Sequence, residues 1–207
     1  KFPNAGNGEW GIGKYEALDG LAGTAVGRPG GKSADRSPDK DPARDIDIAG
    51  CDILDNGAGG VWLSGDFDPM DITDCTVARN GGAGLLLGST RAGATCSLVR
   101  MTVVANQGTG VELAAGAWSF AQTLVSHNLG EAVLASGIGA SATLACTDLF
   151  GNTGGDWTPT LLPQLGVGGN VQADPFYCDL DAGDYSLRDD SPLAPANSGG
   201  CDVIGRL

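Results

Sequence analysis

The chain has 207 residues, enough for one domain with a substantial core. Twenty-five acidic residues against twelve basic ones give a net charge of −13. That balance argues against nucleic acid and anionic membrane surfaces as partners, and leaves cations, neutral glycans and basic surfaces compatible.

Taken in chain order, residues 1–44 form an irregular segment rich in glycine, proline and charge. Within it, 9–27 read as an irregular first rung or a cap, and RPGGKSADRSPDKDPARD (28–45) reads as an exposed loop. The lysine at position 1 suggests a product trimmed from a longer precursor. No apolar run approaches the roughly 18 residues of a spanning helix, so no transmembrane segment is expected.

Residues 45–157 carry a repeat. Asn56, Asn80, Asn106, Asn128 and Asn152 follow one another at spacings of 24, 26, 22 and 24. Three positions before each stands Ile53, Val77, Val103, Val125 or Leu149. Five after stand Val61, Leu85, Val111 and Val133, and seven after stand Leu63, Leu87, Leu113 and Ala135. Apolar residues two apart carry the period of a strand. Asn-Gly-Ala-Gly, Asn-Gly-Gly-Ala and Asn-Gln-Gly-Thr between them suit tight bends. Each unit is therefore strand, bend, strand and looser loop. So short a unit cannot bury its own apolar face, but coaxial stacking does so. The asparagines then lie about 4.8 Å apart, close enough for an amide ladder. The fold class is all-β, a parallel β-helix. Residues 158–207 form an irregular closing segment, broken by Pro159, Pro163, Pro175, Pro192 and Pro195.

The phrases CDILDNGAGGVWL, CTVARNGGAGLLL and MTVVANQGTGVEL resemble repeats of right-handed parallel β-helix proteins of the pectate-lyase-like superfamily. Residues 170–205 resemble the C-terminal closing segment of many secreted bacterial β-helix repeat proteins. The resemblance implies a right-handed solenoid and a secreted or cell-surface location. It implies no single activity, since that superfamily holds lyases, hydrolases, epimerases, phage spikes and adhesins.

The six cysteines contain no C-x-x-C pair, and their even number suits an oxidising setting. Cys178 and Cys201 bracket the closing segment and are the expected disulfide. Cys51 and Cys75 hold equivalent positions in adjacent rungs, within disulfide reach; the alternative is two buried thiols acting as small hydrophobes. Cys96 and Cys146 remain as a default pair.

Candidate sites are few. GDFDPMDITD (65–74) gathers Asp66, Asp68, Asp71 and Asp74 as a possible Ca²⁺ site, since Ca²⁺ takes six to eight oxygens. The resemblance implies Ca²⁺ held between such acids and substrate carboxylates, as in β-helix lyases. FDPMD also resembles the Asp-Pro-His-Asp motif of alginate epimerases, but Met70 replaces the histidine and removes the acid/base group. Six residues after the asparagines, Trp62, Leu86, Glu112 and Leu134 form an outward, mostly apolar stripe suited to the chain's own loop, a partner protein or a sugar ring. Trp118, placed in a loop, offers a second sugar platform. Arg91, in the loop 88–94, is the free cation a lyase would use as base. Arg79 stacks over Asp55 as a surface pair, and the sole histidine, His127, occupies a variable exposed slot.

No acid/base set recurs across adjacent rungs. The expected role is a non-catalytic structural, adhesive or filament-forming protein of the cell surface, acting by self-association or on a surface partner. The alternatives are a polysaccharide lyase or hydrolase, using Asp66–Asp74 with Arg91, and a carbohydrate-binding module using Trp62 and Trp118.

Overall fold

The computed structural model describes residues 12–15, 45–137 and 139–206. Most of the segment expected at 1–44 lies outside these residues. Three parallel sheets stack along one axis. Face 1 holds β1 (Ile12–Tyr15), β4 (Val61–Gly65), β7 (Leu85–Ser89), β10 (Val111–Ala115) and β13 (Val133–Ala135). Face 2 holds β2 (Ile46–Ala49), β5 (Met70–Thr73), β8 (Cys96–Val99), β11 (Ala117–Ala121) and β14 (Ser141–Ala145). Face 3 holds β3 (Asp52–Leu54), β6 (Thr76–Ala78), β9 (Thr102–Val104), β12 (Leu124–Ser126) and β15 (Asp148–Phe150). The chain is a parallel β-solenoid. Among the described residues, β2 to β13 make four complete three-strand coils, and β14 and β15 open a fifth.

Face 2 is the element that the two-strand repeat left as loop. Its inward columns are Ile46, Met70, Cys96 and Trp118, and beside them Ile48, Ile72, Leu98, Phe120 and Leu144, all buried. The alternation is present in the sequence, but the turns before it differ in length, so it does not keep step with the asparagines. These columns meet the inward residues of faces 1 and 3 in one continuous core.

Two corners depend on left-handed backbone. Asp55, Arg79, Ala105 and His127 have φ between 53° and 59° and stand one above another just before the ladder asparagines. Asp74, Arg100, Gln122 and Cys146 form a second column between faces 2 and 3, with φ from 47° to 53°. Such backbone costs about 1–3 kcal/mol per non-glycine residue and persists only where the surroundings fix it. The ladder supplies that at the first corner. Side-chain amides join Asn56 to Asn80, Asn80 to Asn106, Asn106 to Asn128 and Asn128 to Asn152 at 2.8, 2.8, 2.9 and 2.8 Å. Each acceptor oxygen also takes the backbone N–H of the preceding asparagine.

The chain after Asn152 divides in two. Residues 152–173 cover the last coil. Leu161 enters the core, and the Gln164 side chain accepts from Leu144 N–H and donates to Ala142 C=O. Asn170 does the same for Thr147 and Leu144. Side-chain amides thus satisfy edge groups of β14 that invite edge-to-edge pairing. Residues 174–206 leave that end and return along the outside of face 3 as a strap, rather than closing the end. The strap contains the antiparallel pair β16 (Tyr177–Asp179) and β17 (Asp184–Leu187). Leu124, Leu193, Cys201 and Ile204 form a second apolar cluster between strap and sheet. At its far end Arg206 donates to Cys51 C=O at 2.9 Å and pairs with Asp52, on the earliest described strand of face 3.

The one disulfide among the described residues joins Cys146 to Cys201, with Cα atoms 5.4 Å apart. This corrects the expected Cys178–Cys201 bridge. Cys146 occupies an outward corner position under the strap, whereas Cys178 lies exposed on β16 as a free thiol. Cys51 and Cys75 are also reduced, which corrects the second expected pair. They are buried in the core at the corner between faces 2 and 3, and the Cys75 sulfur accepts the Cys51 N–H at 3.3 Å. Burial pushes the Cys75 thiol up to about 12, so it stays protonated and acts as a packing group.

Candidate functional site

The four aspartates of 65–74 do not converge. Asp66 and Asp68 lie in the turn between β4 and β5, at the corner of faces 1 and 2. Asp71 sits on the outer surface of face 2, in register with Asp47 and Ser97, and accepts a hydrogen bond from Ser97 Oγ at 2.5 Å. Asp74 stands at the opposite corner and binds Arg100 through both oxygens, at 2.5 and 2.7 Å. That bond holds its carboxyl below the usual carboxylate range. The strand carries the four side chains around the coil rather than onto one loop. Among the described residues, no group of three or more His, Cys, Asp or Glu side chains is placed to hold a metal ion.

Two expected residues do meet. Arg91 Nε lies 3.4 Å from Asp68 Oδ2, and Asp68 Oδ1 accepts the Thr95 N–H at 3.0 Å. Arg91 is therefore a paired side chain rather than the free cation of the sequence reading. It overlooks a notch of about 600 Å³ at the corner of faces 1 and 2. The notch follows from turn length. The link between β10 and β11 is the single residue Gly116, while the links above and below it run through 90–95 and 136–140. The short turn leaves a gap between the two longer ones, with Ala114, Ala115 and Ala117 as its floor.

Trp118 lies beneath that floor. It is 2% exposed, and its indole N–H donates to Ala115 C=O at 3.1 Å. This corrects its expected place in a loop: the side chain continues the inward column of Met70 and Cys96, so it is a core residue. The outer stripe of face 1 has the expected register, with Trp62, Leu86, Glu112 and Leu134 on successive coils. All four are half-buried.

Sequence reasoning missed the polar groups beneath the strap. Tyr177 and Ser126 share a hydrogen bond of 2.6 Å, and burial pushes the Tyr177 phenol above its usual range. Arg79 holds both oxygens of Asp55 at 2.8 Å, as its stacking predicts, and also donates to the Tyr185 hydroxyl at 2.7 Å. His127 is not the surface histidine expected. It packs against Phe150 and Tyr177, its Nδ1 is buried without a partner, and burial pushes its pKa down. Asp148 is fully buried. No local signal marked it: Asp148 shares its column with Asp52, Thr76, Thr102 and Leu124, and the exposed Asp52 shows that an acid at this position is not buried by the coil alone.

Among the described residues, four ion pairs tie one coil to the next or the strap to the coils. Asp55–Arg79, Asp74–Arg100 and Asp68–Arg91 are inter-coil pairs, and Asp52–Arg206 fixes the strap. Each exposed pair contributes at most about 1 kcal/mol. No protein family, curated protein or solved structure matches the chain.

Proposed function

We propose that the chain is a non-catalytic structural and adhesive module of the cell exterior, allied to the secreted bacterial right-handed β-helix repeat proteins. The observation that carries this reading is the strap. It runs the described length of the solenoid, bonded covalently near the last coil through Cys146–Cys201 and by Arg206 to Asp52 near the first. A stack of coils held only by neighbour contacts frays from its ends. A side strap fixed at both ends resists that fraying and resists shear between coils, which suits a load-bearing surface element. A structural disulfide fits an oxidising exterior. The strap occupies face 3, and the half-buried stripe of Leu86, Glu112 and Leu134 on face 1 is the surface assigned to self-association.

Electron microscopy and light scattering of the protein from its source test this. Ordered oligomers or filaments are expected, and a double Leu86→Glu, Leu134→Glu variant should lose them while keeping its thermal transition. A strictly monomeric wild-type protein at high concentration would remove the assembly role. Ca²⁺-dependent release of unsaturated uronides from a polyuronate panel would replace the reading with lyase activity.

A second reading, carbohydrate binding, is favoured by the notch beside Arg91. Trp118 lies under its floor and is the natural reporter. A fluorescence change on adding acidic oligosaccharides, lost in Arg91→Ala, would support it, and flat titrations would dismiss it.

A further inference from the structure

Asp148 stands where the strap meets the last coil. Its carboxyl is completely buried. Oδ1 accepts the Ala173 N–H at 2.8 Å, and Oδ2 is buried with no hydrogen-bond partner. Asp148 also bridges to Val171 in parallel register, so the end of the segment 152–173 is laid directly on this residue. The charged groups that face it are acidic: Asp156 from the segment 152–173 over the last coil and Asp174 from the strap, with the Tyr177 phenol from β16. One backbone N–H is far too little to hold a buried carboxylate among other acids, whereas a neutral carboxyl is tolerated there.

We propose that Asp148 is a proton-operated latch: while it carries its proton, segment 171–177 stays seated on face 3, and when it ionises the segment lifts. The disulfide two residues earlier, at Cys146, keeps the strap tethered through Cys201, so the opening is local and reversible. Burial pushes the Asp148 carboxyl up to about 8, which places the transition in mildly alkaline solution. His127 acts in the opposite sense. Its ring packs against Tyr177 in a site that disfavours its charged form, so acid works against docking there. The docked strap is thus bounded on both sides, with His127 neutral throughout the range in which Asp148 titrates.

The test is amide exchange by NMR between pH 6.5 and 9, expressed as protection relative to the unstructured chain. Protection at Ala173 and Tyr177 should fall at least tenfold across the transition, while Val103 and Val125 in the inner strands stay unchanged. Asp148→Asn keeps an acceptor for Ala173 and cannot ionise, so its protection should be flat over the same range. A flat wild-type profile, or the same fall in Asp148→Asn, would overturn the latch. Should that variant fail to fold, the carboxyl carbon shift of wild-type Asp148 decides. A midpoint coinciding with the loss of protection supports the latch, and a midpoint in the ordinary carboxylate range overturns it.

Discussion

Asp156 accepts the side-chain amide of Asn152 at 2.8 Å, so a carboxylate terminates a file of amides that all donate in one direction. Its Oδ1 also takes the Asn152 N–H at 2.8 Å, and its Oδ2 takes the Gly151 N–H at 3.0 Å. The arrangement matches an acidic N-cap on a helix, where a side-chain oxygen receives the donors that the repeat leaves over.

Removing that oxygen pair strands three donors at the ladder's end. Asp156→Ala is expected to destabilise the protein by about 1–3 kcal/mol, and Asp156→Asn, which keeps one acceptor, by less. Urea unfolding of both variants checks the order. An Asp156→Ala variant as stable as wild type would show that water serves the ladder end equally well.

Close approach at one glycine column makes a second prediction. A Cβ on Gly110 would lie 2.4 Å from Val125 Cγ1, 2.7 Å from Ala132 C=O and 2.9 Å from Asn128 Nδ2. Gly110→Ala therefore forces neighbouring coils apart and should cost about 1–3 kcal/mol, as overpacking does. Gly93 has a left-handed backbone but open space around it, so Gly93→Ala should cost only the conformational strain. Comparing the two by thermal unfolding separates crowding from backbone strain.

Reduction should destabilise by an amount set by the closed loop. The Cys146–Cys201 bridge spans 55 residues, for which the chain-entropy estimate is about 4 kcal/mol. Unfolding with and without reductant measures this. Alkylation of the native protein should modify the exposed Cys178 readily, and Cys51, Cys75 and Cys96 only after unfolding. Peptide mapping that links Cys201 to any other cysteine would contradict the strap's path.

Asp148 also shapes the pH dependence of global stability. Its folded pKa, about 8, lies above the unfolded value near 3.9. The folded state keeps a proton that the unfolded chain has lost, so this contribution is full below pH about 4 and is lost as pH rises to about 8. Within that window the loss approaches ~1.4 kcal/mol per pH unit. His127, with its pKa lowered, contributes stability above its unfolded pKa that is lost as the pH falls. The difference between wild type and Asp148→Asn in denaturant midpoint, followed from pH 4 to 8, should grow steadily. A constant difference would place the carboxyl in an ordinary environment.

The ladder and faces 1 and 3 were legible because each rests on local spacing: Asn80 lies a near-constant distance from Asn56, and Val77 and Leu85 keep their offsets from it. Face 2 was hidden by variable corners, a single residue at Gly116 but six at 90–95. That is also why Trp118 read as a loop residue and the aspartates of 65–74 as one cluster. The strap was not legible. Arg206 finds Asp52 across 154 positions, and nothing near either residue announces the other. Pairing Cys201 with Cys178 followed sequence proximity, whereas the solenoid brings Cys146 under the strap.

The strap's course has a consequence for biosynthesis. Synthesis reaches the coil at 46–65 well before the strap, and in an unadorned solenoid that coil could serve as a finished template for those that follow. Here its outer side at Cys51, Asp52 and Thr76 is completed only by Arg206, the penultimate residue of the chain given. The first complete coil described is thus finished on its outer side by a residue made 154 positions after Asp52. Chains that end before residue 174 would leave face 3 bare along its length, and are the species a quality-control system should recognise and remove.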